Sequence, residues 1–315
     1  LDQTLEFRDT RIHEATLFAL DSILKNQFPN GGWGQVYDKL KEPDKNAGLK
    51  AKYPKEWSRE YPGGDYWFFY TINDNNIART IETLILAAKI YTNNQYKQSG
   101  LRAADFFLLA QMPDPQPAWA QQYDFDMQPV WARKFEPPAV SGGESQDVIQ
   151  TLMDVYIESG DRKYLEPIPR ALDYLEKSQL PDGRLARFYE LETNRPLYFT
   201  KDYKLTYSSE DMPTHYGFIT SSSVAKLRAR FQAIEKKSPL ELQAQKESKN
   251  TNRDKSLPKE DRVRDVIAAL DERGAWVEKG ELRYHKGKND VTRIIRSDTF
   301  IRNLEVLSLY IANSK

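Results

Sequence analysis

Three segments of this chain set acids and amides beside cationic side chains. Tyr70-Thr71-Ile72-Asn73-Asp74-Asn75 holds an acid between two amides, and Ala132-Arg133-Lys134-Phe135-Glu136-Pro137-Pro138-Ala139-Val140-Ser141-Gly142-Gly143-Glu144-Ser145 carries two cations and two acids. Arg187-Phe188-Tyr189-Glu190-Leu191-Glu192-Thr193-Asn194-Arg195-Pro196 carries two arginines, with Lys201 six residues after the second. The 46 basic and 46 acidic side chains cancel, so no global field draws in nucleic acid or an anionic membrane, and an anionic ligand must be held by a local cluster. Paired carboxyls could hydrolyse a glycoside, a chemistry that any chain with so many acids can supply. The chain has no cysteine, which excludes disulfides, thiolate metal sites and a cysteine nucleophile. Its histidines, at 13, 215 and 285, have no metal-ligand spacing, which makes a zinc site improbable. Many of the 18 Tyr, 14 Phe and 6 Trp fall in loop-like stretches, where rings either stack on sugars or pin the loops to a core.

The elements that position these segments are announced by a repeated turn. Gln27-Phe-Pro-Asn-Gly-Gly-Trp33, Gln111-Met-Pro-Asp-Pro-Gln-Pro-Ala-Trp119 and Gln179-Leu-Pro-Asp-Gly-Arg-Leu185 each close a helix-like stretch. Each continues with a polar residue (Gln35, Gln121, Arg187), an aromatic (Tyr37, Tyr123, Tyr189) and an acid (Asp38, Asp124, Glu190). The copies lie 84 and 68 residues apart, room for two helices each, so the chain reads as stacked helical hairpins. Apolar periodicity predicts helices over about 12–24, 77–88, 98–111, 144–159 and 164–178, another beginning after Thr220, and a last one capped by Ser297. Asn73 or Asp74 is placed to cap the second of these. Trp276 after Arg273-Gly274 reads as a degenerate fourth copy of the turn. Residues 36–70 lose periodicity and form a long excursion, and loops of that length in a compact domain are usually functional. Residues 234–262 turn polar and charged, as an exposed helix extension or a mobile insert. The expected fold is all-α: helical hairpins closing into an α/α toroid, a single domain over 1–315 with a groove of long loops at one end.

The Gln-x-x-Asn-Gly-Gly-Trp turn also occurs in terpenoid cyclases, but the acid motif those enzymes need for protonation is missing here. The three charged segments, Asn30-Gly31-Gly32-Trp33 and Ser297-Asp298-Thr299-Phe300-Ile301-Arg302-Asn303, taken in order, instead resemble the pectate lyases of polysaccharide lyase family 10 over nearly the whole chain. The resemblance implies an α/α toroid that cleaves polygalacturonate by calcium-assisted β-elimination. It implies Asp74, Asn75 and Glu136 as Ca²⁺ ligands, since calcium takes hard oxygen donors, and Arg133, Arg187, Arg296 and Trp33 as substrate-binding residues. Where family members commonly carry Arg-Asp-Gly after Asn-Arg-Pro, this chain has Thr200-Lys201-Asp202, so the base is expected to be Lys201, with Arg195 as the second choice. A lysine can act as base when neighbouring cations or exclusion of water lower its pKa. The alternatives are a silent pectin-binding relative and a glycosidase on the same scaffold. The expected partners are polygalacturonate and oligogalacturonates, with no nucleic acid and no membrane, and the expected state is a monomer. No run is long and apolar enough to span a membrane and no signal peptide opens at Leu1, so the chain is expected to be the mature or trimmed part of a secreted or periplasmic protein.

Overall fold

A computed structural model describes residues 1–36, 47–252, 258–281 and 291–314. Tyr37, Asp38 and His285 lie outside the described residues, as do positions 253–257 of the polar stretch. The chain divides into two compact units, Leu20–Lys246 and Leu1–Ala19 with Glu247–Lys315.

In the larger unit the hairpins are built as the periodicity predicts. After α1 (Thr10–Lys25), of which Leu20–Lys25 belong to this unit, α2 (Asn76–Tyr91) packs on α3 (Asn94–Ala110), and α3 on α4 (Gly142–Ser159). Helix α4 in turn packs on α5 (Ile168–Lys177) and α6 (Val224–Glu235), and α7 (Pro239–Asn252) follows. Ile77, Ile81 and Leu84 of α2 face Ala103, Phe106 and Phe107 of α3 within one continuous buried core. Helix α4 is buried along most of its length, from Val148 and Ile149 to Ile157, because it lies at the centre of the helix layer.

The all-α toroid is overturned. The chain is 46% helical with 11% strand, a mixed α/β protein. Strands β1 (Tyr70–Thr71) and β2 (Gln122–Tyr123) pair antiparallel, with Tyr70 opposite Tyr123. Strand β3 (Ala139–Ser141) opens a four-stranded sheet whose other members follow in sequence after β4 (Leu185–Ala186): β5 (Phe188–Glu190), β6 (Pro196–Phe199) and β7 (Leu205–Thr206). Strand β4 pairs with β8 (Ile219–Thr220). These strands follow the repeated turns and are short, and several are buried on both faces, so they show no alternation of apolar and polar residues.

The first and third turns are alike bond for bond, and the longer second turn shares the closing bond, Met112 N to Ala118 O. Phe28 N donates to Gly32 O and Gly31 N to Phe28 O; Leu180 N donates to Arg184 O and Gly183 N to Leu180 O. The indoles of Trp33 and Trp119 donate back to Ile23 O and Phe107 O, in the last turns of the helices they follow. Tyr123 OH accepts from Ala120 N and donates to Ala110 O at the end of α3; Tyr189 OH accepts from Ala186 N and donates to Ser178 O at the end of α5. Each tyrosine thus fastens the strand after the turn to the helix before it. Gly31 adopts φ +94°, and a Cβ there would stand 2.0 Å from Arg102 O, so only glycine fits.

The smaller unit holds α8 (Glu260–Ala268), the antiparallel pair β9 (Val277–Lys279) and β10 (Arg293–Ile295), and α9 (Ser297–Asn313), which packs on α8. Trp276 Nε1 donates to Val266 O in α8, Asp271 N to Ala275 O and Gly274 N to Asp271 O, the bonding of the repeated turn in a fourth copy. The N-cap of α9 is Arg296, one residue before the predicted Ser297, and it makes no side-chain capping bond.

Candidate active site

The turn between β1 and α2 carries the acid of the first segment. Ile72 N and Asn73 N both donate to Gln121 O, at 3.0 and 3.1 Å, which pins the turn to the strand after the second repeat. Asp74 (φ 56°, ψ 26°) and Asn75 (φ 59°, ψ 25°) then adopt consecutive left-handed conformations, each costing on the order of 1 kcal/mol in a non-glycine residue. Neither Asn73 nor Asp74 caps α2: the N-cap is Asn75, without a side-chain capping bond. The strained pair leaves Asp74 exposed and brings the Asn75 amide into hydrogen-bonding range of Asp147 on α4, whose carboxyl is pushed up by burial.

The second and third segments meet around Tyr216. Glu136 is 2% exposed and accepts from Arg133 Nε at 2.8 Å, Arg133 Nη2 at 2.6 Å and the Arg133 backbone N–H at 3.1 Å. Tyr216 OH donates to the same carboxylate at 2.9 Å. Burial pushes the Glu136 carboxyl up, but the hydrogen bonds and charge of Arg133 outweigh it and hold the group below the usual range. Arg133 is correspondingly raised by its bond to Glu136 and stays a guanidinium. Across the phenol ring, Arg187 lies 5.2 Å from the Tyr216 centroid and Arg133 5.6 Å from it. Arg187 donates to Glu144 at 3.1 Å and to Gly217 O at 2.7 Å. Glu144 also bonds Ser141 Oγ, and burial holds its carboxyl up despite Arg187. A Cβ at Gly142 would stand 2.3 Å from Ala186 O, and this close approach of α4 to the third repeat sets Glu144 beside Arg187. Glu144, Asp147 and Arg187 line a cavity of about 380 Å³.

A second acid-arginine pair forms at Glu190, also 2% exposed. It is ion-paired to Arg59 from the long excursion and accepts from Thr193 and, at 2.8 Å, from Tyr207 OH. Arg195 stacks on Tyr207, 3.4 Å from the ring centroid. Lys201 sits at the tip of the β6–β7 hairpin, its ammonium 3.0 Å from Asp211 and its side chain 68% exposed. Neither the cation crowding nor the dryness expected of a basic lysine surrounds it. The tip is nonetheless close to the Arg133 turn, since Tyr203 packs on Phe135 at 6.0 Å and lies under Lys134 at 3.5 Å.

The structure therefore groups Arg133, Glu136 and Arg187, and the turn of Asp74 and Asn75 reaches α4, which carries Glu144. Two expectations fail on geometry. Trp33 is 1% exposed and spends its indole N–H on Ile23 O, so it is a core residue with no face for a sugar. Glu136 commits both carboxylate oxygens to Arg133, which leaves it anchoring a cation instead of binding one. Arg296 belongs to the smaller unit, where it pairs with Asp298 at 3.1 Å and Glu278 at 3.3 Å. Among the described residues no three acids or histidines are grouped to hold a metal ion. Asp74 and Asn75 carry the hard oxygen donors that calcium takes, and Asp74 is exposed. Sequence reasoning missed Tyr216, Asp147, Arg59 and Glu190 as members of these sites. Only Glu190 carried a signal, as the acid in register with Asp124 of the preceding repeat.

Residues 5–155 match the profile of the pectic acid lyase family. Two solved structures of a family 10 polysaccharide lyase from Cellvibrio cellulosa are similar in fold, one of the native protein and one of a mutant in complex with trigalacturonic acid. Each has a TM-score of 0.55 and 20% sequence identity, over 72% of this chain and 74% of that one. No curated protein matches the chain.

Proposed function

We propose that this protein is a polysaccharide lyase that cleaves polygalacturonate by β-elimination, a reading supported by the match of residues 5–155 to the pectic acid lyase family and by the likeness in fold to family 10 polysaccharide lyases. The observation that carries the reading is the pair of guanidiniums, Arg133 and Arg187, held beside Tyr216 by the buried carboxyls Glu136 and Glu144. Two arginines fixed in this way match a ligand with a carboxylate on each sugar, and fixing them beforehand reduces the ordering cost of binding. In the reaction a base removes the proton from C5 of a uronate, the electron pair forms the C4–C5 double bond, and the C4–O4 bond breaks, O4 leaving with a proton. Charge develops beside the sugar carboxylate in the transition state, where a permanent cation such as Arg133 stabilises it.

We assign the base to Lys201, whose hairpin tip packs beside the Arg133 turn; to act it must leave Asp211 and lose its proton, which substrate that excludes water from the tip would favour. Arg195 is the second choice, and its stacking on Tyr207 turns it toward the other acid-arginine pair. A calcium ion, when bound, would neutralise the uronate carboxylate and acidify C5, with Asp74 and Asn75 as its protein ligands. Export to the periplasm or the medium, where pectin is met, fits this reading.

Incubation with polygalacturonate should raise the ultraviolet absorbance of the unsaturated product, and EDTA should abolish the rise until calcium is restored. A new reducing end with no double bond would identify a hydrolase and overturn the proposal.

A further inference from the structure

We propose a second uronate-binding subsite around Arg59, Lys204 and Tyr207, apart from the Arg133–Arg187 pair; the inference rests on the polygalacturonate reading. A cavity of about 570 Å³ is lined by Arg59, Glu60, Tyr203, Lys204 and Tyr207, a volume in the range of small-ligand sites. Its floor is built and not merely charged. Buried Glu190 holds the Arg59 guanidinium from below together with Tyr207 OH, and Arg59 lies 4.5 Å from the Trp57 ring. The same construction, a buried glutamate clamping an arginine that also lies against aromatic rings, is found at Glu136 and Arg133.

Charge selects the ligand. Glu190 and Arg59 neutralise each other, whereas neither Lys204 nor Arg195 forms an ion pair among the described residues. Glu60 offsets Lys204 within the lining, so the positive balance comes from Arg195, which lies outside the lining but stacks on Tyr207, and it suits a carboxylate on a sugar ring held beside that tyrosine. The two arginine sites are tied together through Trp131. Its indole donates to Ser58 O at 2.8 Å, next to Arg59, and its own position is two residues before Arg133. Trp57 and Tyr61 pack on the same indole, at 6.4 and 5.8 Å. This aromatic cluster around buried Trp131 links the segment that carries Arg59 to the one that carries Arg133.

The test is calorimetric titration of a ladder of oligogalacturonates, dimer to octamer, into the wild type, Lys204→Ala and Lys204→Glu, beside turnover of the shortest cleavable oligomer. Lys204 is exposed and outside the proposed chemistry, so both variants should fold and turn over the shortest oligomer at the wild-type rate. Wild-type affinity should step up with chain length, and Lys204→Glu should remove about fivefold of that step, Lys204→Ala less. An unchanged length dependence in both variants overturns the subsite while leaving the lyase reading intact. Length-dependent binding that Lys204→Glu weakens, without any product formation, supports the subsite and sinks the lyase.

Discussion

Glu136 shows how a single carboxylate changes meaning once its neighbours are known. In the sequence it stands between Phe135 and Pro137 with Arg133 and Lys134 nearby, which is compatible with a metal ligand. In the fold, three bonds from Arg133 and one from Tyr216 use it up. Because its pKa is lowered in the folded state, the stability it contributes is fully present above the ordinary glutamate pKa and is lost as pH falls through the lowered value. Glu136→Gln should therefore cost about 3 kcal/mol at neutral pH, the penalty of an arginine left without its buried partner, and less in acid, as denaturant titrations at several pH values would read out. At Lys201 the expectation is kinetic: Lys201→Ala should abolish turnover and leave oligogalacturonate binding within about twofold of wild type. Retention of the full rate would place the base elsewhere. These residue types were legible beforehand, but their pairings were not, because Tyr216 and Arg59 lie 80 and 131 residues from the acids they meet.

At the scale of elements, the helices and the repeated turns were legible and the strands were not. Amphipathic periodicity marked α2, α3, α4 and α9 because each keeps an apolar stripe over four or more turns. Strands β2 to β5 have two or three residues each and are buried throughout, so neither period nor length distinguishes them from loop. What holds them is partly visible in the repeat: the tyrosine four residues after the Trp or Leu is the same latch in the second and third copies. Tyr123→Phe and Tyr189→Phe each strip a buried N–H and a buried C=O of their partner, and each should lower the unfolding free energy by about 2 kcal/mol in urea titrations. Close agreement between the two variants is expected from the shared bonding; a loss at one tyrosine only would show that the copies are not mechanically equivalent.

Across the whole molecule charge cancels, and at the sites each arginine is fixed by a buried glutamate. A polyanion should then be held by short-range pairs at the arginines, without a long-range field to hasten its approach. Raising ionic strength should increase KM for polygalacturonate with kcat nearly unchanged, and Arg187→Ala should flatten that dependence; a salt effect of equal slope in the variant would remove Arg187 from the binding surface. The division into two units was not legible, since α1 and α7 run across the boundary without a break in their helical pattern. The tyrosine latches carry one further consequence. Each ties a loop that bears chemistry to the carbonyl end of a helix, Tyr123 near Gln121 to α3 and Tyr189 near Arg187 to α5, so the loops have no independent softness of their own. Their compliance is that of a helix terminus, and a ligand that stiffens Arg187 tightens the last turn of α5 with it.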